Sequence, residues 1–162
     1  MSTRSKDSWI DICQLNCRSI STDRKIIEFD EAIQKIRFDV IGLSETWKSG
    51  SGQEHLRKSG HTLFYSGGQY KQSGTGFIVA QHMVQHVEAF TPINDRCCVL
   101  DLQIKGWSLR LVAVYGPTSA ASDEDYEDFL SGVLQACNPP VKSLSRNGRL
   151  VGRITRREAV PG

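Results

Sequence analysis

Residues 9–45 constrain the fold most, because two strand-like apolar runs enclose one amphipathic helix. Trp9 to Asn16 (WIDICQLN) is rich in β-branched and aromatic residues, as strands are. Ile26, Phe29, Ile33 and Ile36 then recur at intervals of three and four, which lays one apolar face along a helix. Thr22 is a natural N-cap for that helix, and Asp23 suits the positive end of its dipole. Phe38 to Glu45 (FDVIGLSE) reads as a second, buried strand. Such a strand–helix–strand unit sets its strands parallel through a right-handed crossover, so the chain belongs to the α/β class.

The remaining pattern adds antiparallel elements. Residues 47–60 are rich in Gly, Ser, Lys and Gln and read as an exposed loop. His61–Ser66 and Gly76–Ala80 read as strands joined by a Gly-rich turn. Cys98, Leu100, Leu102 and Ile104 alternate with more polar neighbours, and so do Leu109, Leu111, Ala113 and Tyr115, up to the stop at Gly116-Pro117. Ser122-x-x-Asp125 resembles a capping box, and Tyr126, Phe129, Leu130, Val133 and Leu134 form the apolar stripe of a second helix. After Asn138-Pro139-Pro140 the periodicity fades.

Charge divides the chain at the same place. Residues 1–140 carry 14 Lys/Arg and 17 Asp/Glu, net −3, while residues 141–162 carry six basic residues and one acid, net +5. The basic residues Arg146, Arg149, Arg153, Arg156 and Arg157 could contact phosphates or act as a nuclear address, or simply form a solvated, disordered tail, which is the expectation for 138–162. With 39% hydrophobic and 23% charged residues, the 162-residue chain is neither disordered throughout nor membrane-spanning. The five cysteines, with no secretory leader before them, read as reduced thiols of the nucleus or cytoplasm. His82-x-x-x-His86 lies near Cys97 and Cys98 in sequence, but adjacent cysteines chelate zinc poorly, so ordinary surface or core histidines are expected.

Three polar residues fall where α/β sheets gather their ligands, outside the carboxyl ends of strands: Asn16, Glu45 and Tyr115. One carboxylate beside an amide oxygen suits Mg²⁺, which keeps several waters and accepts substrate phosphate, and a phenol can donate to a phosphate oxygen. The bland alternative is that these side chains merely cap strand ends.

Leu15-Asn16-Cys17-Arg18-Ser19, Ile41-Gly42-Leu43-Ser44-Glu45-Thr46-Trp47 and Val112-Ala113-Val114-Tyr115-Gly116-Pro117-Thr118 resemble three successive motifs of the endonuclease/exonuclease/phosphatase family. His61–Gly68 and Gly74–Phe77 match as well, and the likeness runs over residues 8–137, closest to the apurinic-endonuclease-like domain of non-LTR retrotransposons. The resemblance implies an α/β four-layer sandwich, two mixed sheets face to face with helices outside, and cleavage of phosphate esters with Mg²⁺ or Mn²⁺. It assigns Glu45 as metal ligand, Asn16 beside metal and phosphate, and Tyr115 to the scissile phosphate, with DNA as substrate and no membrane partner. A phosphatase or RNA exonuclease is the alternative within the family.

Two of the family's motifs, Gly-Asp-x-Asn and Ser-Asp-His, do not occur, since no Asp follows Asp128 and no His follows His86. Ser145-Arg146-Asn147 lies where the first could fall, but a hydroxyl would then replace a carboxylate. General base and orienting acid each contribute factors of about 10² to 10⁴. The expectation is therefore the incomplete amino-terminal part of such a sandwich, of low activity alone, or else a non-catalytic remnant that binds nucleic acid or protein.

Overall fold

A computed structural model describes residues 9–69, 72–137 and 153–156. The strand–helix–strand unit forms as the pattern demands: β1 (Asp11–Asn16), α1 (Asp23–Ile33) and β2 (Val40–Ser44), with β1 parallel to β2 and Asn16 in register with Ser44. Thr22 caps α1, its hydroxyl accepting from the Lys25 N–H. Four strands follow: β3 (Ser51–His55), β4 (Thr62–Ser66), β5 (Thr75–Val79) and β6 (Val87–Asn94). Then come β7 (Cys97–Ile104), β8 (Trp107–Val114), α2 (Asp123–Cys137) and β9 (Arg153–Arg156).

Two sheets result, in the orders β3-β4-β5-β2-β1-β9 and β6-β7-β8. The first is mixed, because β1 runs parallel to β2 and β9 while β5 runs antiparallel to β2 and β4. The second is an antiparallel meander. They pack face to face, with β6 over β4, β7 over β4 and β5, and β8 over β5 and β2. Between them lie Phe64, Phe77, Leu100 and Leu102, all nearly or wholly buried, with the Phe64 and Phe90 rings 5.4 Å apart. Ile26 and Ile33 of α1 join this core, and α2 covers the far side of β7 through Ala136 against Cys97 and Val99. The order helix, sheet, sheet, helix is an α/β sandwich.

Two segments depart from the sequence pattern. Residues 51–55, polar and Gly-containing, form β3 rather than a loop, alternately exposed and half-buried. An edge strand touches the core on one face only, so it needs little apolar signal of its own. Within the stretch expected to be a disordered basic tail, Arg153–Arg156 is a strand in register with Asp11–Gln14, and the rest of that stretch lies outside the described residues.

Candidate active site

The carboxyl ends of β1 and β2 continue as two loops bonded side by side. Cys17 N–H donates to Ser44 O (3.1 Å), Ser19 N–H to Glu45 O (2.8 Å) and Ile20 N–H to Thr46 O (2.9 Å). These loops hold four of the five described non-glycine residues with positive φ: Arg18 (46°), Ser19 (89°), Glu45 (55°) and Trp47 (56°). A left-handed backbone costs about 1–3 kcal/mol at each such residue and persists only where the surroundings enforce it. A third segment supplies part of that enforcement. Thr46 and Trp47 N–H groups donate to Gly74 O and Ser73 O, and Gly74 N–H donates to Asp95 O. A Cβ on Gly74 would meet Thr46 Oγ1 at 2.2 Å, so only glycine fits there.

Half-buried Glu45 is thereby presented at the mouth of the sandwich. Tyr115, one residue past β8 in the opposite sheet, donates its hydroxyl to Glu45 Oε1 at 3.1 Å, across 70 positions of sequence. Burial first, then the hydrogen bond to Glu45, pushes the Tyr115 phenol above its ordinary value. Its backbone is fixed by Arg96: Tyr115 N–H donates to Arg96 O, while Arg96 Nη1 donates to Tyr115 O (3.3 Å) and Gly116 O (3.0 Å). The guanidinium carbon stands 5.5 Å from the Tyr115 ring centroid, within cation–π range. Behind the site the Cys17 thiol donates to Ser44 O (3.2 Å), and burial pushes it up to about 12, so it is a structural group and not a nucleophile.

Asn16 stands at the end of β1, exposed, its side-chain oxygen accepting from Arg18 N–H at 3.1 Å. Ser44, its register partner, directly precedes Glu45, so the two neighbouring strand ends carry Asn16 and Glu45. Glu45 and Tyr115 are joined by a hydrogen bond, whereas Asn16 turns its amide oxygen to its own loop. Lys25 Nζ reaches Ser19 Oγ (3.1 Å) and sits 5.8 Å from the Trp47 ring, adding positive charge at the rim.

The donor set has the oxygen chemistry Mg²⁺ takes, but it is short of charge. Among the described residues no three of His, Cys, Asp and Glu gather to hold a metal ion. Glu45 and Asn16 fit only part of a shell whose other ligands are water and phosphate. A His–Asp pair does exist, with His82 Nε2 2.6 Å from Asp39 Oδ1, but Asp39 precedes β2 and so lies at the opposite end of the strand from Glu45. It cannot serve Glu45 as a base. A groove of about 600 Å³ between β3 and β6 includes Phe64, Val87, Phe90 and Pro92, and among the described residues Glu88 is its one ionisable lining residue. Sequence patterns gave no sign of Arg96, whose one sequence mark is a turn, Asn94-Asp95-Arg96, in which the Asn94 side chain accepts from Arg96 N–H at 2.9 Å; Gly74 lay in the matching Gly74–Phe77 stretch, but its role as a brace for Glu45 was not visible there.

The chain has a distant likeness in shape to one solved structure and a likeness in sequence to curated proteins. It is similar in shape to an endonuclease/exonuclease/phosphatase family protein from Leptotrichia buccalis C-1013-b, with a TM-score of 0.45 and 12% identity, over 75% of this chain and 61% of that one. In sequence the chain is 28% identical over 119 residues to craniofacial development protein 2 of Bos taurus, and equally to that of Tragulus javanicus. Each match covers 70% of this chain and spans only 20% of the relative. No family model matches. Among the described residues no helix is long and apolar enough to cross a membrane.

Proposed function

We propose that this chain carries the amino-terminal half of a Mg²⁺- or Mn²⁺-dependent, retrotransposon-type endonuclease site directed at DNA, and that it cleaves little or nothing by itself. The observation that carries this reading is the Tyr115–Glu45 hydrogen bond, which unites the two sheets' motif residues above a strained loop pair. Glu45 would hold the cation, with Asn16 on the adjoining strand end, and Tyr115 would turn its hydroxyl from Glu45 to a phosphate oxygen. The cation, when bound, neutralises charge developing on phosphate. Hydrolysis also needs a base to activate water, and the one described His–Asp pair is at the wrong end of the sheet.

The absence of a three-ligand cluster among the described residues favours a second reading, a module that binds nucleic acid or protein without catalysis. Two measurements on the pure chain separate these readings. Mn²⁺ binding followed by electron paramagnetic resonance should be weak and should disappear in Glu45→Gln, while plasmid and abasic-site duplex DNA stay intact. Retained Mn²⁺ binding in E45Q would sink the assignment of Glu45. Efficient metal-dependent cleavage lost in E45Q would sink the claim of inactivity.

A further inference from the structure

The turn between β6 and β7 is bonded to both halves of the site. Asn94, Asp95 and Arg96 each hold a different segment. Asn94 O accepts from Ser66 Oγ of the first sheet at 2.7 Å. Asp95 O accepts from Gly74 N–H at 2.9 Å, and Gly74 O in turn accepts from the N–H of Thr46, the neighbour of Glu45. Arg96 holds Tyr115, whose hydroxyl returns to Glu45 Oε1 at 3.1 Å. Covalent and hydrogen bonds thus close a ring through Glu45, Thr46, Gly74, Asp95, Arg96 and Tyr115. Both ends of the bond that joins the two sheets hang from one turn.

Arg96 has the geometry to aim Tyr115. The ladder of β7 and β8 ends here with Cys97 opposite Val114, so Tyr115 stands one residue beyond it. Tyr115 N–H still meets Arg96 O at 2.9 Å. Its carbonyl and that of Gly116 both accept from Arg96 Nη1, at 3.3 and 3.0 Å. One residue therefore fixes the peptide planes on both sides of the Tyr115 Cα. The guanidinium carbon also stands 5.5 Å from the ring centroid, which narrows the choice of rotamer. A lysine would keep the charge but not the flat fork whose one nitrogen carries two fixed hydrogens. Arg96 is seated in its turn by Asn94 Oδ1, which accepts its N–H at 2.9 Å.

We propose that Arg96 is the positioning residue of this site. Through the backbone and ring of Tyr115 it sets where the phenol meets Glu45, and the β6–β7 turn fixes the gap between the two. The use of that aim in phosphate chemistry rests on Glu45 holding a cation and Tyr115 a phosphate, as proposed for this chain. The aim itself is measured without metal or DNA, so the two can fail separately.

Nuclear magnetic resonance of the full chain, isotope-labelled at tyrosine Cζ, reports the hydrogen bond made by each phenol at neutral pH. Tyr115→Phe identifies the Tyr115 signal by its loss. In the wild-type background Glu45→Gln should move that signal, because the charged acceptor is gone. In Arg96→Met and in Arg96→Lys the signal should shift towards that of free tyrosine, and adding E45Q should no longer move it. An Arg96 that acted by charge alone would be replaced by lysine, so full return of the wild-type signal in R96K overturns the proposal. An undiminished response to E45Q in R96M overturns it too, as does no response in the wild-type background. Should neither Arg96 variant fold, the unmutated chain decides. Its two Arg96 Nη nitrogens should give separate signals at a temperature where those of exposed Arg24 and Arg37 are averaged, and averaging at Arg96 as well overturns the proposal.

Discussion

Gly74→Ala measures how tightly the brace behind Glu45 is packed. Gly74 has φ +107°, a backbone that side chains rarely adopt, and its Cβ would stand 2.2 Å from Thr46 Oγ1. The backbone share of the penalty is about 1–3 kcal/mol. The steric share is another 1–3 or so, as for overpacked cores, because Thr46 is fully buried and cannot swing away. We expect a loss of about 3 kcal/mol, a large part of the roughly 5–15 kcal/mol that stabilises a domain. With a urea m-value of about 2 kcal/mol/M the midpoint falls by about 1.5 M. Thr46→Ala should separate the shares. Thr46 Oγ1 has no hydrogen-bond partner among the described residues, so deleting it alone costs only about 1 kcal/mol for the lost methyl. It also removes the clashing oxygen, leaving Cβ at a tolerable 3.4 Å from the new methyl. The double variant G74A/T46A should therefore be more stable than the sum of the singles predicts, by about 1 kcal/mol or more. Equilibrium unfolding followed by tryptophan fluorescence measures all four proteins. G74A within about 0.5 kcal/mol of wild type, or strictly additive singles, would refute the reasoning.

Two further outcomes follow from the core. Buried Asp30 of α1 accepts from Lys58 N–H (2.9 Å) and Ser59 N–H (3.2 Å) and so ties the β3–β4 turn to the helix. Asp30→Ala strands both donors and should lose about 3 kcal/mol by urea unfolding, with Asp30→Asn in between; a loss below about 1 kcal/mol would remove Asp30 from this role. Burial pushes the Cys17 and Cys98 thiols up to about 12, so iodoacetamide at pH 8 should label exposed Cys137 well before either, as read by peptide mass mapping. Because these folded values lie above the unfolded one, the stability they contribute is complete below the ordinary thiol range, near pH 9, and declines as pH rises towards 12. Stability that rose over that interval would contradict the assignment.

Much of the first sheet was legible because local rules and tertiary burial agree there. Thr22 caps α1 as its residue type predicts, and Ile26 and Ile33, picked out by helical period, are buried. Ser122 and Asp125 bond each other's backbone N–H at the start of α2, as their spacing suggests. β3 was illegible because an edge strand with one polar face lacks a hydrophobic signature. Glu45 and Asn16 could be marked as strand-end residues, and their parallel register follows from the crossover. His82 gave no hint of Asp39, since a hydrogen bond across 43 residues leaves no local trace.

Local sequence encodes the α/β class, the parallel β1–α1–β2 unit and the identity of the polar residues at its carboxyl end. Short-range periodicity, caps and breakers encode these, and each acts within a few residues. That Tyr115 reaches Glu45, that Arg96 holds Tyr115 and that Gly74 locks the loop carrying Glu45 emerge only once the chain is packed. The stacking of one sheet on another fixes those contacts, and that packing joins residues far apart in the chain.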